Sequence, residues 1–404
     1  MVKKALGIGL GLLLVVAVAV WVSLGDRITR AQVVSSLFTG AEQSQNFNRM
    51  HEMFPVKTMP AAKRATSFEL GSPIELPSNF HFRGDLIETA AFLTRTDTGA
   101  MLVINDGQIT FEQYWLSGGQ QQTWLSMSVA KSFISALIGI AVEQGHIDDI
   151  NQPITDYVPE LFGSAYDNVR IKDILQMSSG ASWNEDYGDP ASDISRFSRI
   201  FALGGSMNAF TATLNAEFPP GTYNRYNSID TQALGMLLTN AVGRPISEYM
   251  TQMLWHPMGA ENQAYWLTDS ADMEMAFAGL NATARDYAKL GEMYRLGGLF
   301  NGRQIVPAQW VQASITPDAP HLIAGDNSAS DWPLGYGYQW WIPQGDQGEF
   351  MAIGVYNQFI YVAPASNTVI VKLSANSAYG TPEDDGAASE FEAIEFFRGI
   401  TALQ

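Results

Sequence analysis

The segment SMSVAKS contains the residues best suited to covalent chemistry. Ser128 and Lys131 lie three positions apart at the start of an apolar stretch that continues to Val142. In a helix, side chains at positions i and i+3 share one face, so the hydroxyl and the amine should meet. A serine hydroxyl is a weak nucleophile that needs a base, and a buried lysine that has become neutral can be that base. The spacing therefore indicates a serine nucleophile that is activated by a lysine.

The Ser-x-x-Lys motif by itself is weak, because a chain with this many serines and lysines contains one by chance about as often as not. Ser126 could equally cap the helix while Lys131 extends into solvent. Two features favour catalysis. The match is the only one in the chain, and it opens a helix with no polar stripe between Ser135 and Glu143, which is typical of a buried helix.

Tyr226 is a second candidate for chemistry. It lies in PPGTYNRYNSIDTQALGMLL, where a Pro-Gly turn leads into an apolar helical pattern. A phenol in a cleft can relay a proton between a serine and a leaving group, particularly beside a lysine that lowers its pKa. Considered alone, a tyrosine in this position more often has a structural role.

Composition excludes several other classes of function. The 404 residues, 46% of them hydrophobic, are enough for one large domain or two closely packed ones. A net charge of −18 argues against binding to nucleic acid, and the absence of cysteine removes disulfides, thiolate metal sites and cysteine nucleophiles. The histidines are isolated, so we expect no metal site and no cofactor, although a triad that uses one of them stays an alternative. They are His51, His81, His146, His256 and His321.

The N-terminus predicts a membrane segment over residues 1–24. Lys3 and Lys4 precede ALGIGLGLLLVVAVAVWVSLG, an uncharged stretch long enough to cross a bilayer as a helix. The lysines favour a cytoplasmic N-terminus. We expect a single-pass inner-membrane protein with its main domain exported to the periplasm. The alternative is a signal peptide cleaved near AVA at 17–19, but the apolar run continues past it through Trp21.

The remaining chain divides into a lead-in and one large domain. Residues 25–84 are polar and interrupted by prolines, and we expect them to wrap onto the domain at 85–404. Asn105-Asp106-Gly107 predicts a β-hairpin, strand patterns return near the C-terminus, and a final helix follows. Strands at both ends with helices between them predict an α+β (α/β) fold: an antiparallel sheet flanked by helices, with an inserted, mostly helical lobe at about 150–330.

Five motifs together resemble the serine-type β-lactamase-related hydrolases, a family that includes class C β-lactamases, D-alanyl-D-alanine carboxypeptidases and carboxylesterases. The motifs occur in the family's order over residues 85–400, and the segment EDYGDPASD is most similar to the 6-aminohexanoate-dimer hydrolase branch. The resemblance implies a β-lactamase/transpeptidase-like fold. The five motifs are SMSVAKS, ILQMSSGASW, PPGTYNRYNS, GLNATARDYAKLG and GGLFNGRQIVPAQWV.

The resemblance also implies a role for each candidate residue. Ser128 would be the acylated nucleophile, Lys131 its base and Tyr226 the proton relay to the leaving group. Gly354 would let substrate lie close to a strand, and the amide of the next residue, Val355, would complete an oxyanion hole with the amide of Ser128.

The same branch suggests Tyr187 and Asp193 as substrate-binding residues, although a helix-capping loop explains them equally well. Two positions depart from the wider family. Ser228 stands where many β-lactamases have asparagine, and Ala352 stands where the third motif has lysine or histidine. Because that basic residue helps bind a substrate carboxylate, its loss lowers the expectation of β-lactamase or peptidase activity.

The leading hypothesis is an exported serine hydrolase that cleaves an amide or ester bond of a small molecule through an acyl-enzyme. Two alternatives stay open. One is a penicillin-binding or β-lactamase-type cell-wall enzyme. The other is a non-catalytic module on the same fold that binds peptidoglycan or a partner protein, although such a module has no need of a buried lysine.

Overall fold

The computed structural model describes residues 37–40, 42–385 and 388–404, together with Gly25 and Val34. Within these residues, no helix is both long enough and apolar enough to cross a membrane. The predicted membrane segment at 1–24 lies outside the described residues, so the anchor and the export of the domain stay predictions.

The strands of the described chain form an eight-stranded sheet, a four-stranded sheet and two short hairpins. They are β1 (Val56–Met59), β2 (Glu69–Leu70), β3 (Asn79–Phe82), β4 (Asp85–Glu88), β5 (Thr98–Asn105), β6 (Gln108–Tyr114), β7 (Trp124–Leu125), β8 (Ala264–Leu267), β9 (Leu280–Ala282), β10 (Leu299–Phe300), β11 (Arg303–Gln304), β12 (Gly335–Tyr336), β13 (Trp341–Ile342), β14 (Phe350–Gly354), β15 (Gln358–Ala363) and β16 (Thr368–Ser374).

The α-helices of the same residues range from single turns to about four turns. They are α1 (Gln43–Asn48), α2 (Met50–Met53), α3 (Thr89–Arg95), α4 (Ala130–Glu143), α5 (Ile171–Leu175), α6 (Asp193–Ala202), α7 (Met207–Thr211), α8 (Ser228–Val242), α9 (Ile246–Met250), α10 (Ala284–Arg295), α11 (Ala308–Ser314) and α12 (Ala388–Thr401).

The eight-stranded sheet contains strands from both ends of the domain, as predicted. Its order is β12-β13-β14-β15-β16-β5-β6-β2, and every neighbouring pair is antiparallel except β2 with β6. The β5–β6 hairpin closes through Asp106 and Gly107, whose φ angles are +48° and +76°. Two positive φ angles match the right-handed twist of the strands, which is why an Asp-Gly pair favours this turn.

Helices cover both faces of this sheet, and the predicted fold class is confirmed. On one face, α4 and α10 share a continuous apolar core with the sheet. On the other face, Phe396 and Phe397 of α12 pack against strand residues such as Phe359 and Tyr361. The region at 150–330 also contains the strands β8 to β11, which the sequence pattern did not indicate. Strands of two to four residues are too short to show a period.

The described residues of the lead-in pack onto the domain, and Leu37 is already part of its core. Strand β1 pairs with β8, so the lead-in supplies one edge of the four-stranded sheet β1-β8-β9-β7. The ring of Phe47 stacks on Trp124, with 5.1 Å between the centroids. The β3–β4 hairpin spans the boundary predicted at residue 85. The Phe47 contact stabilises β7, the strand that directly precedes the Ser-x-x-Lys segment.

Helix α4 is buried on almost every side, which fits its apolar composition. Gly139, in the middle of the helix, is the point of closest approach to α11. A Cβ atom built on Gly139 would lie 2.4 Å from Cγ of Trp310. A methyl group cannot occupy that space, so the glycine allows the indole ring to lie directly on the helix backbone.

We expect Gly139→Ala to lower the free energy of unfolding by about 1–3 kcal/mol, because overpacking outweighs the gain of about 1 kcal/mol in helix propensity. Gly399→Ala, in helix α12, is the matched control. Its new Cβ would contact Pro77 and Phe80 at 3.7 and 3.8 Å, which are ordinary van der Waals distances. That variant should be neutral or slightly stabilised. Urea unfolding measures both, and equal effects would contradict the packing argument.

Candidate active site

Ser128 lies in a single turn of 3₁₀-helix, Met127–Val129, that connects β7 to helix α4. Met127 has a φ angle of +47°, a conformation that is unfavourable for a residue with a side chain. The pairing of β7 with β9 on one side and the buried helix on the other hold this turn in place. Ser128 is consequently fixed at the wall of a cavity rather than on a mobile loop.

Lys131 is directed inward, 2% exposed, and the interpretation in which it extends into solvent is wrong. Its Nζ donates to the Oγ atoms of Ser128 and Ser228 at 2.7 and 3.0 Å, and to the carbonyl oxygen of Phe277 at 3.3 Å. Burial lowers the pKa of Lys131 to about 7, and the negative charge of Glu185 opposes that shift. The amine can therefore exchange a proton with Ser128 near neutral pH.

Glu185 and Ser228 extend this network, and the sequence interpretation did not assign a role to either. The backbone N–H and the hydroxyl of Ser228 donate to Glu185 at 2.9 and 2.6 Å. Glu185 is the first residue of EDYGDPASD, but no sequence signal connects it with a serine 43 positions away. The result is a continuous line of contacts from Glu185 through Ser228 and Lys131 to Ser128.

Tyr226 lies beside this network, on the turn that precedes α8. The centre of its ring is 4.9 Å from Nζ of Lys131, and the ring stacks on Trp341 at 5.1 Å. Burial raises the pKa of Tyr226 well above its ordinary value, the charge of Glu185 raises it further, and the Ser128 hydroxyl opposes the shift. The phenol is therefore protonated at neutral pH, and its O–H is available as a donor.

The end of strand β14 lies against the backbone of Ser128. A Cβ atom on Gly354 would be 2.7 Å from the carbonyl oxygen of Ser126 and 3.0 Å from the amide nitrogen of Ser128. Ser128 and Val355 both line the cavity. Within the described residues, neither of their backbone N–H groups has a hydrogen-bond acceptor. Two free amide donors on one cavity wall can bind the oxygen of a carbonyl group under attack.

The cavity has a volume of about 470 Å³ and opens between the sheet and the helical region. Tyr187 lines it, and the Tyr187 hydroxyl donates to Glu185 at 3.1 Å. Asp193 does not line it. The Asp193 carboxylate accepts from the Asn184 amide at 2.9 Å and pairs with Arg196 at 2.5 Å, contacts that hold the 184–193 loop. The predicted substrate-binding roles of Tyr187 and Asp193 stay predictions.

No histidine among the described residues forms a hydrogen bond with Ser128. His321, for example, contacts Ser178 at 3.1 Å. The triad alternative therefore has no geometric support. Ser128, Tyr226 and two free backbone amides instead line one cavity, and Lys131 contacts Ser128 from behind its wall. This fold and this cavity are those of a serine hydrolase of the β-lactamase type.

The comparison with known proteins agrees with that class. The Beta-lactamase family matches residues 87–393, and the chain belongs to this family. It is 31% identical over 291 residues to a 6-aminohexanoate-dimer hydrolase of Paenarthrobacter ureafaciens. That alignment covers 70% of this chain and 74% of the relative. A Beta-lactamase of Providencia stuartii is 26% identical over 135 residues, or 33% of this chain and 32% of the relative.

Solved structures share the fold. A Bacillus anthracis protein described as a 6-aminohexanoate-dimer hydrolase has a TM-score of 0.78 at 23% identity, covering 89% of this chain and 95% of its own. A penicillin-binding protein from Bacillus halodurans has a TM-score of 0.59 at 18% identity, covering 76% and 98%. The chain is thus a serine hydrolase of the Beta-lactamase family with relatives among the 6-aminohexanoate-dimer hydrolases.

We expect Gly354→Ala to lower kcat/KM for an ester substrate by roughly 100-fold, because its Cβ would displace the strand from the Ser128 amide and a shift of about 1 Å at a reacting centre has this effect. Steady-state kinetics with p-nitrophenyl butyrate measures the loss. Thermal unfolding is the control, since overpacking at the end of the strand should lower the free energy of unfolding by only about 1–3 kcal/mol. Full activity in a folded variant would mean that the close approach of Gly354 is not needed.

Proposed function

We propose that this protein hydrolyses amide or ester bonds of small molecules through an acyl-enzyme on Ser128. The observation that carries the proposal is the 2.7 Å contact between Ser128 Oγ and a buried Lys131 whose pKa lies at about 7. An amine that is neutral at physiological pH can accept the serine proton, which an exposed lysine cannot do.

The acylation step follows from the positions of the groups. Ser128 Oγ attacks the substrate carbonyl carbon while its proton passes to Nζ of Lys131. The carbonyl oxygen becomes an oxyanion that accepts from the amides of Ser128 and Val355. The tetrahedral intermediate then collapses, the bond to the leaving group breaks, and Tyr226 delivers a proton to the departing nitrogen or oxygen. Lys131 restores the proton of Tyr226.

Deacylation repeats these steps with water as the nucleophile. Water loses a proton to the same Lys131–Tyr226 system, the acyl–Ser128 bond breaks, and the free acid leaves while Ser128 regains its proton. The carboxylate of Glu185 fixes Ser228 and thereby the position of the lysine amine between two hydroxyls. Glu185 is a positioning residue in this scheme.

The penicillin-binding alternative has less support. Such an enzyme would need a cation near the end of β14 to bind a substrate carboxylate, but Ala352 is buried in the core and Ile353 lines the cavity. The 6-aminohexanoate-dimer hydrolase of Paenarthrobacter ureafaciens acts on an amide, and the similarity to it favours a small amide or ester as the substrate of this chain.

Ser128→Ala should lower the hydrolysis of p-nitrophenyl butyrate by at least about 1,000-fold, because the variant lacks the hydroxyl that attacks the carbonyl carbon. A fluorophosphonate should add to Ser128 of the wild type and not to this variant, as measured by intact-protein and peptide mass. Ser135→Ala, about two turns further along the chain in α4, is the matched control and should still react. Labelling that persists in Ser128→Ala would reject the assignment, and a wild type that neither labels nor hydrolyses would favour the binding-module alternative.

The pH dependence should follow Lys131. The base must be neutral, so kcat/KM should fall as pH decreases through about 7, where Lys131 becomes protonated. Glu185→Gln removes a charge that raises the pKa of Lys131, so the midpoint of this limb should move to lower pH. Asp189→Asn removes a carboxylate from the same loop outside the cavity and should leave the midpoint unchanged. An unchanged midpoint in Glu185→Gln would show that Lys131 is not the titrating base.

A further inference from the structure

The charges around the catalytic cavity are strongly unbalanced. Four carboxylates line it, Glu185, Asp186, Asp331 and Glu390, against the single guanidinium of Arg225. Arg225 is already paired with Glu217 at 2.5 Å and with Asp331 at 3.2 Å. No lysine or histidine lines the cavity within the described part of the chain. A substrate in this cavity therefore meets an excess of negative charge.

Glu390 is a buried carboxylate that forms no ion pair with a basic side chain of the described residues. It is 7% exposed, and its Oε1 accepts from the hydroxyl of Tyr379 at 2.7 Å. In the described residues Oε2 has no hydrogen bond and no basic side chain forms an ion pair with Glu390. Burial raises the pKa of Glu390 to about 7, an effect that the Tyr379 hydroxyl opposes. A buried carboxylate without a cation is costly, and a cationic ligand would remove that cost.

Aromatic side chains surround the same part of the cavity. Trp332 and Trp341 both line it, and Trp332 stacks on Phe391, the residue that follows Glu390. The faces of indole and phenol rings attract alkylammonium groups, whereas they offer nothing to a carboxylate. A carboxylate in a cavity lined by indole rings is a combination that can recognise a substituted ammonium ion.

Glu390 and Tyr226 line the same cavity. Burial raises the pKa of Tyr226 most, and the charges of Glu185, Tyr336 and Glu390 raise it further. Under the proposed function, Tyr226 protonates the departing atom. A cation held by Glu390 would therefore belong to the leaving-group part of the substrate rather than to the acyl part.

We propose that the Glu390 end of the cavity binds an ammonium group on the leaving-group side of the substrate, so that the enzyme prefers esters of amino alcohols, or amides of diamines, to their neutral counterparts. The inference rests on the proposed function, because it assumes acyl transfer from such a leaving group to Ser128.

The test compares two esters of the same shape that differ in charge. Butyrylcholine carries a trimethylammonium group, and 3,3-dimethylbutyl butyrate carries a neutral tert-butyl group in its place. Hydrolysis by the full-length chain is followed in a pH-stat. We expect kcat/KM to be roughly tenfold or more higher for the choline ester, mostly through a lower KM.

Glu390→Gln should abolish this preference. It should raise KM for butyrylcholine about tenfold more than KM for the neutral ester, because both esters meet the same altered cavity and only the choline ester loses a charge partner, while the amide oxygen can still accept from Tyr379. Glu383→Gln is the matched control. It removes an equal charge from an exposed neighbouring turn and should leave both esters unaffected.

Each remaining outcome is decisive. Equal kcat/KM for the two esters, or an equal loss for both in Glu390→Gln, overturns the inference and leaves the proposed function intact. Failure to hydrolyse either ester, together with an absence of fluorophosphonate labelling, rejects the proposed function itself. Labelling without turnover of either ester overturns the leaving-group preference alone.

Discussion

The contact between the amine of Lys131 and the hydroxyl of Ser128 is the constraint on which the site depends. An ammonium ion in an apolar interior loses its hydration, so the buried lysine is close to neutral and can act as a base. The pKa of Lys131 stays low only if water is excluded from the amine. Helix α4 excludes it because the helix is apolar on nearly all sides and packs against α8 and α11. The large core therefore has a direct chemical consequence: it sets the protonation state of one amine.

The rest of the site compensates for that burial. Ser228 and the Phe277 carbonyl accept from the Lys131 amine, and Glu185 places a carboxylate behind Ser228 without contacting the amine itself. A carboxylate in direct contact would hold the lysine as a permanent cation, whereas a carboxylate one hydroxyl away only moderates the shift. The serine at position 228 thus has a clear physical role. Its hydroxyl contacts the carboxylate on one side and the lysine amine on the other.

The cavity wall combines close backbone approach with an acidic, aromatic lining. Gly354 allows β14 to lie against the Ser128 amide, and two free amide donors result. Beyond this reaction centre, the lining offers carboxylates and indole faces but no free cation in the described residues. Groups along α4, α8 and β14 surround Ser128 and Lys131, whereas the acidic lining of the cavity comes from α12 and from the loops that precede β12 and α6.

The sequence by itself determined that Ser128 and Lys131 meet, because a helix places positions i and i+3 on one face whatever surrounds it. It also determined the layered fold, since strand patterns at both ends of the domain and an Asp-Gly turn leave few arrangements. Tyr226, Gly354 and Val355 came from resemblance rather than from spacing. Only the tertiary structure joined Glu185 to Ser228 and brought Glu390 to the cavity. Those contacts connect residues on separate loops and helices, and no local period or propensity encodes which distant loops meet.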